Sequence, residues 1–277
     1  MKPRMWFLVS QGDQILVTGF EPAQPISQYV IIVPPFAEEL NKSRKMSADF
    51  ARAVASDKQS KTAVYLIDLF GCGDSGGDLI DASWALWQRN IYDLIQQLAR
   101  ENPQAKCNLI GIRLGASLII ECTKRFLKDT PPHLIFWQPV LNGKLFMGQF
   151  LRLKIAAAMA VGLKLSNQEI RDEIAENQGV EVAGYYVSSA LISDIEQVVL
   201  TSNDTVVYGE SISWFEVGTK DDGALLITSA KTVEKWRSSV DIATAYIHDQ
   251  PFWQTAEITI ANKLITEVKQ RLMAQQC

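Results

Sequence analysis

The chain has 277 residues, 47% hydrophobic and 21% charged, with 16 glycines, 10 prolines and 4 cysteines. That composition excludes a disordered, collagen-like or disulfide-stapled polypeptide and fits one or two globular domains. Lys and Arg number 27 against 31 Asp and Glu, a net charge of −4, so the overall balance carries no footprint for nucleic acid or an anionic membrane.

Cys72, Cys107, Cys122 and Cys277 are widely spaced, with no CxxC pair and no neighbouring His cluster, so neither a zinc site nor a disulfide framework is expected. No metal and no cofactor are expected. The first ten residues do not read as a secretory signal. The longest apolar run, 155–163, lies between Lys154 and Lys164 and is too short to span a bilayer. A cytoplasmic protein without a transmembrane segment is the expectation.

In chain order, residues 6–9 and 14–18 around Gln11-Gly12-Asp13 predict a hairpin that adds antiparallel strands to one sheet edge. Runs at 29–33 (YVIIV), 63–67 (AVYLI), 108–111 (NLIG) and 134–137 (LIFW) lack alternation, as strands buried on both faces do. Between them, Trp84, Trp87, Ile91, Leu94, Ile95 and Leu98 behind Ser83, and the stretch 114–126, show helical spacing. Strand and helix in alternation predict a parallel sheet with helices on both faces, an α/β fold. At 140–187 the pattern changes to helices with no strand between them, which predicts a helical cap inserted into a core of 1–139 and 188–277. Alternation then resumes with strands at 213–217 and 241–247 and a last helix through Ala261, Leu264, Ile265, Val268 and Leu272.

Two loops make this order more specific. The strand at 63–67 runs into Asp68-Leu69-Phe70-Gly71-Cys72-Gly73-Asp74-Ser75-Gly76, and the strand at 108–110 into Gly111-Ile112-Arg113-Leu114-Gly115 at the head of a helix. Glycines flanking such an elbow permit a sharp turn and push the central residue up at the carboxyl edge of the sheet. This combination resembles the α/β-hydrolase fold over nearly the whole chain, which implies a mainly parallel central sheet of about eight strands. The same loops, with 34–44 (PPFAEELNKSR) and Pro251-Phe252-Trp253-Gln254-Thr255, are similar to the hydrolase 2 group associated with the bacterial exosortase A system. That resemblance implies a link to exopolysaccharide and protein-sorting systems and brings no substrate with it.

In the wider fold the elbow carries a serine nucleophile, a His after the last strand is its base, and an acid after the preceding strand orients the His. Here the central residue is Arg113, whose guanidinium is always protonated and no nucleophile, so an acyl-enzyme at this position is not available. His248 stands where the fold places its base. Glu216, or Asp221 or Asp222 shortly after it, is the candidate acid. A guanidinium under a cap needs a carboxylate, and Glu38 or Glu39 is expected to reach Arg113, with Glu216 as the alternative. Failing that, 38–44 would be a solvated helix start capped by Asn41. N–H groups near Phe36 and Leu114 stand where the fold holds an oxyanion. Ser117, Cys72 and Ser75 read as packing or turn residues, and His133 as structural.

In the insertion, Leu145, Phe146, Phe150, Leu153, Ala157, Met159 and Leu163 predict an amphipathic lid whose apolar face covers the site, with an interfacial membrane helix as the lesser alternative. The leading functional expectation is an acyl ester or thioester hydrolase, or an acyl-transfer enzyme, in exopolysaccharide-related metabolism, with His248 activating water directly. The rival is a catalytically inactive member, a pseudoenzyme, that binds an anionic small molecule or a partner protein through Arg113. The expected ligand is a small molecule, acyl or anionic.

Overall fold

The computed structural model describes residues 1–202 and 206–274. Lys2–Ser10 (β1) and Asp13–Glu21 (β2) form the predicted hairpin. Gln11 (φ 54°) and Gly12 (φ 95°) close it, and left-handed backbone at both positions is what a two-residue type I′ turn requires. The non-alternating runs become Gln28–Val33 (β3), Thr62–Ile67 (β4), Lys106–Ile112 (β5) and His133–Trp137 (β6). Each is buried over most of its length because helices cover both faces.

Glu38–Ala55 (α1) follows β3, Trp84–Glu101 (α2) follows β4, and Leu114–Phe126 (α3) follows β5. The Ser83 hydroxyl accepts from the Leu86 N–H, capping α2 as its spacing predicts. Asn41 does not cap α1; the helix begins at Glu38, and Asn41 donates to the Tyr185 hydroxyl at 2.6 Å.

Between β6 and the next sheet strand lie Gly143–Ala160 (α4), Asn167–Asn177 (α5), Gly179–Val182 (β7), Tyr185–Ser188 (β8) and Ser189–Glu196 (α6). The expectation of helices alone is corrected here. Val180-Glu181-Val182 and Tyr185-Tyr186-Val187 alternate with period two around Ala183 (φ 50°) and Gly184 (φ 84°), and they pair as an antiparallel hairpin. The single apolar face expected of α4 is also divided. Phe146 and Phe150 are buried, whereas Leu145, Leu153, Met159 and Leu163 face outward. The segment leaves and rejoins the body at a bridge between Asn142 and Val199.

Ile212–Gly218 (β9), Ile227–Trp236 (α7), Ile242–His248 (β10) and Asn262–Ala274 (α8) complete the fold. The sheet runs β1-β2-β4-β3-β5-β6-β9-β10. All neighbours are parallel except β2, which is antiparallel to β1 and β4. Buried side chains of α1 and α8 fill one face of the sheet and those of α2 and α3 the other. The chain therefore leaves adjacent strands β3 and β5 toward opposite faces, and such a switch point opens a crevice at the carboxyl edge of a parallel sheet.

Candidate functional site

Arg113 sits at that crevice, between the end of β5 and the start of α3, with φ 53° and ψ −115°. A non-glycine residue in this region is strained and persists only where its surroundings impose it. The imposition is visible in the flanking glycines. A Cβ on Gly111 would lie 2.4 Å from the Ala116 Cα, and one on Gly115 would lie 2.5 Å from the Val33 carbonyl oxygen. Ala37, at the head of α1 beside it, adopts nearly the same backbone, φ 51° and ψ −123°.

Of the carboxylates expected near Arg113, Glu39 is the one that arrives. Its two carboxylate oxygens each lie 3.3 Å from the Arg113 Nε, and the two side chains are 21% and 17% exposed. Glu38 instead accepts from the Tyr185 hydroxyl at 3.4 Å. Burial pushes the Glu39 carboxyl above its ordinary range, against the opposing pull of Arg113 and Lys42. Arg113 Nη1 donates to the Gln138 carbonyl at 3.3 Å, and the guanidinium stands 5.3 Å from the centre of the Trp253 ring. Arg113 Nη2 has no hydrogen-bond partner among the described residues.

Trp253 is a site residue that sequence reasoning gave no role, although its Pro251-Phe252-Trp253 context was distinctive. The segment after β10 wedges Phe252 against Trp137 and brings the neighbouring Trp253 over Arg113.

His248, the expected base, is the last residue of β10 and pairs through Nδ1 with Asp221 Oδ1 at 3.0 Å. Their side chains are 39% and 94% exposed. Among the described residues His248 makes no hydrogen bond or ion pair with Arg113 or Glu216. Glu216 is buried and accepts from the Leu226 N–H at 2.6 Å, so of the candidate acids it is Asp221 that meets the histidine. The cause is strand parity: Glu216 shares a sheet face with Trp214, which packs on Trp236 of α7, and its carboxylate therefore meets the start of that helix.

Leu114 follows Arg113 in the chain and lines one small cavity with Phe36, whose side chain is engaged in packing. The Phe36 ring stands 5.1 Å from Phe150 and 6.2 Å from Phe146 and Trp87. This aromatic cluster, with Leu114, Leu40 and Cys72, leaves only a cavity of about 10 Å3 behind the elbow. A larger pocket of about 350 Å3 opens in front of it, lined by Arg113, Pro139, Asn142, Leu145, Phe146, Gln149 and Leu226. Thr228 and Ser229, in the first turn of α7, line the same pocket.

The other nucleophile candidates are engaged. Ser117 donates to the Val140 carbonyl at 2.7 Å, and Ser75 donates to the Asp68 carbonyl at 2.5 Å. Burial pushes the Cys72 thiol up to about 12, which leaves it a poor nucleophile at neutral pH. Cys277 lies outside the described residues. His133 is buried between Ser211 and Ser213, and desolvation holds it down at about 4, so it is a neutral structural histidine. Among the described residues no group of three His, Cys, Asp or Glu could hold a metal ion.

Set beside solved structures, this architecture has close counterparts. A hydrolase-class protein from Agrobacterium vitis S4 superposes with a TM-score of 0.65 at 16% identity, over 99% of each chain. The chain has the α/β-hydrolase fold. A soluble variant of monoglyceride lipase from Saccharomyces cerevisiae, in complex with a substrate analogue, gives 0.66 at 12% identity over 98% of this chain and 94% of that one. Est1E from Butyrivibrio proteoclasticus, with ferulic acid bound, gives 0.62 at 13% identity over 97% and 98%. No protein-family profile matches the chain, and no curated protein matches its sequence. At these identities the α/β-hydrolase likeness speaks for the fold alone.

Proposed function

We propose that this α/β-hydrolase-fold chain binds an anionic small molecule, a carboxylate or phosphate, at the position where the fold otherwise carries its nucleophile. One observation carries the reading: Arg113 occupies the strained elbow at the wall of an open pocket of about 350 Å3, and its Nη2 has no hydrogen-bond partner among the described residues. A guanidinium gives charge-assisted hydrogen bonds to oxyanions and cannot attack an acyl carbon. The first turn of α7, the positive end of a helix, adds attraction for an anion. Leu145, Phe146 and Leu226 supply apolar wall for an acyl or similar tail. Residues 140–187 serve as the cap over this pocket. The sequence resemblance to the exosortase A-associated group supports a bacterial, cytoplasmic setting linked to exopolysaccharide systems.

A thermal-unfolding panel tests this. Medium-chain carboxylates and alkyl phosphates should raise the Tm, neutral alcohols of equal length should not, and Arg113→Ala should abolish the rise. Equal shifts from the neutral members would overturn the reading.

A second reading, hydrolysis of acyl esters or thioesters by water activated at His248, is favoured by the 3.0 Å His248–Asp221 pair. It requires turnover of activated esters or thioesters that disappears in His248→Ala. Absence of turnover from folded wild-type protein removes it.

A further inference from the structure

We propose that the outward face of α4 and the turn that follows it seat this protein on the surface of an anionic phospholipid bilayer, with the mouth of the Arg113 pocket at the edge of the contact. The proposal does not depend on what Arg113 binds.

The observation behind it is a helix that is apolar on both sides while only one side is covered. Phe146, Met147, Phe150 and Leu151 face the body of the protein. On the other side Leu145 is 68% exposed, Met159 68%, Val161 73% and Leu163 63%. Apolar character all round is the mark of a helix covered all round. From 156 to 163 every residue except Ala158 is exposed. Within the helix, exposure at 156, 157, 159 and 160 spans most of the circumference, so this end of α4 projects from the body. Gly162 (φ 78°) ends the helix, with the Leu163 N–H donating to the Ala158 carbonyl at 2.9 Å. This Schellman geometry is a defined cap that presents Val161 and Leu163 at the tip.

Charge identifies the occupant. The chain carries a net −4, yet Lys144, Arg152 and Lys164 flank this face, and none of them has a carboxylate partner among the described residues. Cations beside an exposed apolar helix fit an anionic interface, with apolar side chains entering the acyl boundary and Lys or Arg meeting head groups. Protein interfaces concentrate energy in aromatic and Arg anchors seated in pockets. This tip is a convex run of Ala, Met, Val, Gly and Leu with no aromatic residue, and a fluid surface suits it because no shape complementarity is needed. No helix among the described residues is long and apolar enough to cross a membrane, so the contact is peripheral. Leu226 and Ile227, 57% and 75% exposed at the head of α7, lie at the other end of this face, where Leu145 and Leu226 both line the pocket.

The test is co-sedimentation of the full chain with phosphatidylcholine vesicles, with and without phosphatidylglycerol. Wild-type protein should bind the phosphatidylglycerol vesicles, less tightly as salt rises. The combined variant Met159→Glu, Val161→Glu, Leu163→Glu should weaken binding at least about tenfold, with an unchanged Tm because these side chains are exposed. Lys144→Gln, Arg152→Gln, Lys164→Gln should remove the preference for phosphatidylglycerol. Failure of the wild type to bind, or equal binding by the glutamate variant, overturns the proposal. So does a wild-type dimer that the glutamate substitutions make monomeric while neither protein binds vesicles, which would assign the face to a second copy of the chain.

Discussion

Alanine at Gly115 is expected to cost about 3 kcal/mol of folding stability, read as a lower urea midpoint with an unchanged slope. The added Cβ would stand 2.5 Å from the Val33 carbonyl oxygen and 2.7 Å from that of Pro34. Both contacts are backbone, so no flexible side chain can yield. The clash is relieved only if the head of α3 moves away from the end of β3, and that movement displaces Arg113. Gly148→Ala is the matched control: it lies within α4 with nothing inside 4 Å of its added Cβ. There the better helix propensity of alanine should raise stability by about 0.5–1 kcal/mol. A cost of similar size at both glycines would contradict the close approach of α3 to β3.

Glu39→Gln is expected to change both the pH profile and the ligand affinity. Burial raises the Glu39 carboxyl above its ordinary value of 4.5, so between that value and the raised one the folded chain holds a proton that the unfolded chain has released. Folding stability contributed by this group is therefore present at low pH and is lost as pH rises through the folded-state value. Glutamine mimics the protonated side chain without titrating. Urea titrations at pH 5 and pH 8 should show a fall in the wild type that is smaller in the variant. Removing the competing carboxylate should also tighten binding of an anion to Arg113 about tenfold, the effect of one charge-assisted hydrogen bond regained. Weaker anion binding in Glu39→Gln would show that Glu39 positions the guanidinium instead of competing for it.

The buried parallel strands were legible because 29–33, 63–67, 108–111 and 134–137 are short, largely apolar runs without polar alternation, as strands covered on both faces are. The elbow was legible because Gly111 and Gly115 stand where any Cβ would strike backbone. The hairpin at β7 and β8 was not, since each strand has four residues and its alternation is too short to stand out among helical neighbours. That Arg113 requires a carboxylate follows from its charge; that Glu39 supplies it and Glu38 turns to Tyr185 depends on the rotation of α1, which no local pattern reports. Trp253 was hidden for a similar reason, because a loop contact with Arg113 across the sheet leaves no periodic trace. The exchange of Glu216 for Asp221 beside His248 turns on strand parity and loop geometry beyond Gly218.

Calorimetric titration of octanoate and octyl phosphate, with octanol as the neutral analogue, into wild-type and Arg113→Met protein bears most directly on the role of the elbow. One anion bound per chain, no heat from octanol, and affinity at least about tenfold weaker in Arg113→Met are the results expected of a guanidinium that holds the ligand's charge. Undiminished anion binding in Arg113→Met, or octanol binding as tightly as octanoate, would contradict it.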